Sequence, residues 1–397
     1  MRFTKLALAG ALAISAVAAA SMAMAQTVKI GFITSYSGLN GNLGPYMERA
    51  VRLYLKQHEK ELGGVKVELL TRDDTGPNPD KARQLAQELV VRDKVNLLAG
   101  VIFTPNAMAM APIATEAKVP FVIMNAGTAV ITTRSPYMVR TSFTLWQSSY
   151  PLGEWAAKKF KTAYSLVSDF GPGHDSEEAF DKAFTAGGGK LLGKVRVPLQ
   201  NPDWAAYMQR VKDAKPDCLM VFIPAGKTAT AVMKNFSELG LDKAGIKLIG
   251  PGDITTDEEL PNMGDVALGV LTVHHYSAAA TRPQNKEFVA AWKKEYGENE
   301  TPNFVAVGAY DGAAIIVEAI KQQKGKLDPE KTMEIFKHWK NANSPRGPIA
   351  IDPETRDIIQ PEYLREVKKV NGQLANVELE TLGTAVKDPW KELQKKK

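Results

Sequence analysis

One cysteine, Cys218, in a chain of 397 residues leaves no partner for an internal disulfide and no thiolate set for a metal site. Histidine is scarce too, with five copies. His274 and His275 are adjacent, and neighbouring side chains on a strand point to opposite faces, so no metal pair is expected there. Charge of one sign is also missing. The 50 basic and 44 acidic residues leave a formal net charge of +6, dispersed along the chain, which argues against a nucleic-acid partner. The densest basic run, Lys395 to Lys397, reads as a solvated tail. No complete Gly-x-x-x-x-Gly-Lys-Ser/Thr loop occurs, no Gly-x-Gly-x-x-Gly follows the first apolar strand, and no Gly-x-Ser-x-Gly elbow is present. After residue 25 no stretch approaches the ~20 apolar residues of a membrane-spanning helix.

What the sequence does have begins at its N-terminus. Arg2 and Lys5 form a short basic region, Leu6 to Ala20 is apolar and alanine-rich, and Ala23-Met24-Ala25 is a small-x-small cleavage signal. Together they read as a secretory signal peptide covering residues 1–25. No cysteine follows Ala25, so a lipid anchor is excluded at this site. The mature chain is expected to be soluble and exported, held by a large core rather than by disulfides.

Strand and helix patterns alternate from there. Short apolar runs at Val28 to Ile33, Val65 to Leu70, Val95 to Ala99 and Phe121 to Met124 are separated by helical periods. That spacing predicts βαβ units and a parallel sheet. The rhythm restarts with strands at Tyr164 to Val167, Lys194 to Val197, Leu219 to Phe222 and Ile246 to Ile249. Helices at Asn285 to Tyr296, Phe304 to Lys324 and Pro329 to His338 follow. Asn371-Gly372 then marks a hairpin turn between two final strands.

In open parallel sheets, ligands bind beyond the carboxyl ends of the strands. In the first unit those loops are Ser35-Tyr36-Ser37-Gly38, Ile102-Phe103-Thr104 and Asn125-Ala126-Gly127-Thr128. They are small and hydroxyl-bearing and they precede helices, so free N–H groups and positive dipole ends suit a small carboxylate. In the second unit they are Gly171-Pro172-Gly173-His174-Asp175, Pro224-Ala225-Gly226 and Pro251-Gly252-Asp253. Glycine there lets the backbone approach a ligand closely. His174 is a candidate hydrogen-bond donor and Asp175 a candidate helix N-cap. Asp253 either meets a cationic ligand group or caps a helix near Thr256.

The order and spacing of several pieces resemble the Leu/Ile/Val-binding-protein family of periplasmic solute receptors of ABC importers. These are Lys29-Ile-Gly-Phe-Ile with Ser37-Gly38 and Gly44, Asp73-Asp74 with Asn78-Pro79, the Gly100 turn, Ala126-Gly-Thr-Ala, Arg140-Thr141, Ile249-Gly-Pro251 and Ala309-Tyr310-Asp311. The resemblance covers essentially the whole mature chain. It implies an α/β fold of two Rossmann-like lobes with parallel sheets, joined by three crossover strands, with the ligand cleft between them. The expected lobes are 26–145 plus 277–345 and 146–276 plus 346–397. It also implies that Thr104, Gly127 and Thr128 hold a ligand carboxylate. The family's aromatic of the first loop falls on Leu43, its tyrosine of the second lobe near Gly173-His174, and a second aromatic on Pro224-Ala225. The acidic residue that holds an ammonium group falls on Gly252, beside Asp253.

The residues and the resemblance together give an expectation of a non-enzymatic periplasmic receptor. It would need no cofactor or metal and would act as a monomer. It would deliver a small carboxylate-bearing solute to an inner-membrane permease. The ligand is expected to be an apolar or aromatic carboxylate, with a branched-chain or hydrophobic amino acid as the alternative. The candidate ligand residues are Ser37, Leu43, Phe103, Thr104, Gly127, Thr128, Gly173, His174, Ala225, Asp253 and Tyr310, with Tyr150 as a further apolar-wall candidate. A ligand-sensing module for a membrane receptor shares this fold. An exported hydrolase would need a nucleophile beside His174, and none is nameable.

Overall fold

The computed structural model describes residues 26–395, so the signal-peptide reading and the last two lysines lie outside the described residues. Five strands make the first sheet: β1 (Thr27–Thr34), β2 (Lys66–Asp73), β3 (Leu97–Gly100), β4 (Phe121–Ile123) and β5 (Met138–Arg140). All pairings are parallel, in the order β2-β1-β3-β4-β5. The sequence explains the arrangement. Central β3, Leu-Leu-Ala-Gly, is buried along its whole length because helices cover both faces. Edge strand β2, Lys-Val-Glu-Leu-Leu-Thr-Arg-Asp, carries charges that keep its free edge in water.

The second sheet repeats the topology. It contains β6 (Thr162–Ser168), β7 (Lys190–Val197), β8 (Cys218–Phe222), β9 (Lys247–Pro251) and β10 (Leu271–His274), ordered β7-β6-β8-β9-β10. Relative to its own chain order, each unit therefore runs 2-1-3-4-5. The chain diverges to either side of β1 and β3, and again of β6 and β8. The second sheet continues with β11 (Lys340–Asn341), β12 (Ile349–Ile351) and β13 (Ile358–Val370), and β14 (Gln373–Val386) pairs with β13. β13 runs antiparallel to β10, so this sheet is mixed. Asn371 and Gly372 both adopt positive φ, 51° and 79°, as the two-residue hairpin between β13 and β14 requires.

The chain passes between the sheets three times: from β5 to the Leu145–Ala157 helix, from β10 to the Pro283–Tyr296 helix, and from the Pro329–Lys337 helix into β11 and β12. A buried ion pair clasps these passages. Arg346 Nε donates to Asp311 Oδ2 at 2.9 Å, and its Nη1 reaches Ser142 O at 2.8 Å and Gln360 Oε1 at 2.6 Å. The Phe304–Gln323 helix is buried along most of its length and packs on the Leu43–Gln57 helix beside the first sheet. Among the described residues no helix is long and apolar enough to cross a membrane.

Four elements depart from the sequence reading. β5, β11 and β12, of two or three residues each, carry no strand signal of their own in the sequence. The Gly171–Ala186 helix starts four residues before Asp175, the candidate cap; its N-cap is Phe170. Pro172 in the first turn supplies a fixed helical φ where no N–H partner is needed, which lets a Gly-Pro-Gly segment start a helix.

Candidate functional site

The two points of strand-order reversal face each other across one cavity. Its wall is drawn from six strand ends and the loops that follow them: Asn40 and Leu43 after β1, Ile102 to Thr104 after β3, and Asn125 and Gly127 after β4, opposite Phe170 and Pro172 after β6, Phe222 at the end of β8 with Pro224 and Ala225 after it, and Asp253 after β9. Phe143 and Leu145 from the first passage and Phe304 from its long helix complete it. Only about 30 Å³ of free space is left between these side chains. The halves touch on both sides of it. A Cβ on Gly171 would lie 2.9 Å from Thr128 Oγ1, and one on Gly226 would lie 3.5 Å from Asn42 Oδ1. Asp175 Oδ2 accepts from Ala129 N at 2.7 Å, and burial pushes that carboxyl up to about 6.

One side of the cavity is built for an anion. Thr104 begins the Thr104–Glu116 helix, and its Oγ1 lies 2.8 Å from Thr128 Oγ1. The Gly171–Ala186 helix starts against the same pair. Two helix N-termini thus converge with two hydroxyls on one spot, where free N–H groups and both dipoles favour negative charge. The loop behind is braced by Arg140, which is fully buried. Its Nη1 reaches Ala126 O at 3.0 Å and Thr128 O at 2.9 Å, and its Nε pairs with Asp357 at 2.8 Å. Gly127 has no room for a side chain, since a Cβ would sit 2.4 Å from Leu145. Before this loop, Val101 holds φ +56°, a strained value for a β-branched residue, and its carbonyl accepts from Ala126 N at 3.2 Å.

The walls are aromatic. Phe103, Phe143, Phe170, Phe222 and Phe304 all line the cavity. Phe170 and Phe222 stack at 6.2 Å, and Phe143 meets Phe304 edge-on at 5.6 Å. On the β9 side one carboxylate interrupts this surface. Asp253 is 6% exposed, and burial pushes its carboxyl up to about 7. Behind it lies His274, fully buried, with its ring 4.7 Å from that of Phe304. Gly252 must be glycine, because a Cβ there would sit 1.9 Å from His274 Cδ2 and 2.2 Å from Arg365 Nη2. An acidic side chain has no space at that position.

Of the expected residues, Leu43, Phe103, Thr104, Gly127, Ala225 and Asp253 meet on this wall, and Thr128 joins them through Thr104. Gly173 stands behind it, where a Cβ would strike Ser168 O at 1.8 Å. Three residues lie elsewhere. Ser37 is exposed and its hydroxyl donates to Asp73 at 2.6 Å. His174 falls on the outer face of its helix and pairs with Asp169 at 2.7 Å, because the helix starts before it instead of after it. Tyr310 hydrogen-bonds Gln57 at 2.6 Å and packs on Tyr54 and Phe288, on the flank of its helix away from Phe304. Tyr150 stacks on Trp146 instead of facing the cavity. The histidine pair also corrects the expectation of opposed rings. β10 ends at His274, strand alternation stops, and the two Nδ1 atoms approach to 2.7 Å. Among the described residues no group of histidine, cysteine and carboxylates could hold a metal ion. The wall residues that sequence reasoning missed are chiefly Asn40, Phe143, Phe170, Phe222 and Phe304. Phe170 and Phe222 directly end or follow strands, so reading one residue nearer each strand finds them. Nothing local marks Phe143 or Phe304.

Two open α/β units of identical strand order, joined by three passages and closing on one cavity, define a bilobed solute receptor. The chain belongs to the periplasmic binding protein family, whose sequence model matches residues 27–373. It is 43% identical over 365 residues to Leu/Ile/Val-binding protein homolog 6 of Brucella melitensis biotype 1, covering 91% of this chain and 93% of that one. A solute-binding protein of an ABC transporter from Rhodopseudomonas palustris BisB5, solved with 3,4-dihydroxybenzoic acid, is 51% identical with a TM-score of 0.88. That match covers 92% of this chain and 99% of the other. A counterpart from R. palustris HaA2, solved with p-hydroxybenzoic acid, is 43% identical with a TM-score of 0.89 and the same coverages. The fold and family expected from the sequence are thereby confirmed, and these relatives are solute-binding proteins.

Proposed function

We propose that this chain is the exported receptor of an ABC importer and that its cavity takes a small aromatic carboxylate. The observation that supports this most is the two-sided chemistry of the cavity. Hydroxyls and two helix N-termini face it from one side, and five phenylalanine rings are the largest side chains on the rest of the wall. The first suits an anion and the second a planar ring. The acids bound by the two R. palustris proteins have this composition. In this reading Thr104, Gly127 and Thr128 receive the carboxylate. The lobes, 26–145 plus 277–345 and 146–276 plus 346–397, close over the ring by a hinge motion. The signal peptide is removed near Ala25. The receptor acts as a monomer and hands its ligand, chemically unchanged, to a membrane permease.

Calorimetric titration with benzoate, 4-hydroxybenzoate and leucine tests this. At least one aromatic acid binds in the micromolar range or tighter and leucine does not. At 100 times its dissociation constant the acid stabilises the protein by about 2.7 kcal/mol, visible as a raised melting temperature. Leucine binding without either aromatic acid overturns the assignment. Turnover of the bound acid overturns the receptor role.

A further inference from the structure

Two acceptors on the cavity wall, Asp253 Oδ2 and Asn125 Oδ1, lack a hydrogen-bond partner among the described residues, and behind the first stands a donor, His274. Asp253 Oδ2 is buried and has no hydrogen-bond partner among the described residues. The same holds for His274 Nε2. The backbone fixes which atom of His274 carries the proton. His275 N donates to His274 Nδ1 at 3.0 Å, so that nitrogen is an acceptor. The neutral ring therefore bears its hydrogen on Nε2. Burial holds both histidines well below the usual imidazole range, which keeps them neutral. An N–H donor and a carboxylate acceptor thus face each other at 3.9 Å, too far for a direct hydrogen bond. Leaving both unpaired is costly. A hydroxyl oxygen at about 2.8 Å from each reaches both, donating to Asp253 and accepting from His274.

Resting on the aromatic-carboxylate reading, we propose that Asp253 and His274 form a socket for a ring hydroxyl, which makes the site selective for hydroxylated over unsubstituted aromatic acids. The ligand's orientation follows from charge. A carboxylate set against Asp253 meets a like charge, whereas the Thr104–Thr128 side offers hydroxyls and helix N-termini. The carboxylate goes there and the hydroxyl goes to Asp253. An α-ammonium group fits the socket poorly. It only donates, so it would satisfy Asp253 and set its charge against the His274 N–H. A hydroxyl both donates and accepts, so it serves the pair in either protonation state of Asp253.

The test is calorimetric titration of the full mature protein with 4-hydroxybenzoate, 4-methylbenzoate, benzoate and leucine. 4-Methylbenzoate has the shape of the hydroxy acid without its hydrogen bonds. Wild type binds 4-hydroxybenzoate at least tenfold tighter than 4-methylbenzoate. Asp253→Leu brings that ratio near one. Equal wild-type affinity for the hydroxy and methyl acids overturns the socket and leaves the aromatic reading standing; it means that water satisfies the pair as well as a ligand does. A ratio unchanged by Asp253→Leu also overturns the socket. Failure of all three aromatic acids, or tighter binding of leucine, overturns both readings. The wild-type comparison stands even if Asp253→Leu does not fold.

Discussion

Thr104 and Thr128 each carry one hydroxyl proton, and they lie 2.8 Å apart. One must donate to the other, which leaves a single hydroxyl proton free to meet an anion. Removing either partner disturbs the donor that faces the ligand, so Thr104→Ala and Thr128→Ala should act alike. A hydrogen bond to a charged group is worth about 1.5–3 kcal/mol, so each change lowers affinity for 4-hydroxybenzoate roughly ten- to a hundredfold. Both variants should melt close to wild type, because each threonine loses only a methyl contact and one bond. Unchanged affinity in both, by calorimetry, rules out this placement of the carboxylate. These two residues were legible in the sequence because each lies in a loop that follows a strand of a parallel sheet, where the topology sends ligands. His174 was misread for a physical reason. Its position on the wall depended on where its helix began, and a first turn containing Pro172 started that helix early. Phe143 and Phe304 were not legible at all. They come from a passage and from a helix of the returning segment, and only the assembled fold brings them to the cavity.

At the scale of elements, the repeated βαβ rhythm was readable, since strand spacing recurs in both halves, whereas the 2-1-3-4-5 order came only with the assembled sheets. The hairpin at Asn371-Gly372 was readable outright, because two consecutive positive φ values admit few residue types. The antiparallel pairing of β13 with β10 was not, since it joins residues some 90 positions apart with no local signal. The Gly171–Ala186 helix carries the second anion-facing terminus and abuts Thr128, which leads to a prediction with two opposite signs. In Gly171→Ala a Cβ would approach Thr128 Oγ1 to 2.9 Å and press the two halves apart. Affinity for the aromatic acid should fall about tenfold as closure is strained. Replacing glycine in a helical turn also removes unfolded-state freedom, worth about 0.4–1 kcal/mol. The ligand-free protein should therefore melt at the same temperature or slightly higher. Calorimetry and thermal melts on one preparation check both signs, and a variant that binds as tightly as wild type refutes the contact.

Over the whole molecule, buried ionisable groups set how stability responds to pH. Glu362 is fully buried on β13, with one oxygen bonded to Gln360 at 3.1 Å and the other without a partner among the described residues. Burial pushes it up to about 8, although Arg346 and Arg365 face it and pull the other way. Asp253, facing Arg365 and His274, is pushed up to about 7. In the unfolded chain both titrate near 4. Between these limits the folded state holds more protons than the unfolded one, so stability falls as pH rises through that window. From pH 6.5 to 8.5 the loss is on the order of 2 kcal/mol. Below about pH 6.5 the trend flattens, because His274 and His275 stay neutral when folded but take up protons when unfolded, which opposes the carboxyls. Melting temperature measured in ligand-free buffer should therefore drop steadily from pH 6.5 to 8.5. Glu362→Gln, which keeps the shape and removes the charge, should reduce that drop, and Asp253, Glu258 and Asp388, each pushed up to about 7 by burial, carry the rest. A wild-type melting temperature that is level or rising over the same interval would mean that both carboxyls are already ionised in the fold. Arg346 and Arg365 would then outweigh burial at Glu362, and Asp253 would enter the ligand socket as a full negative charge.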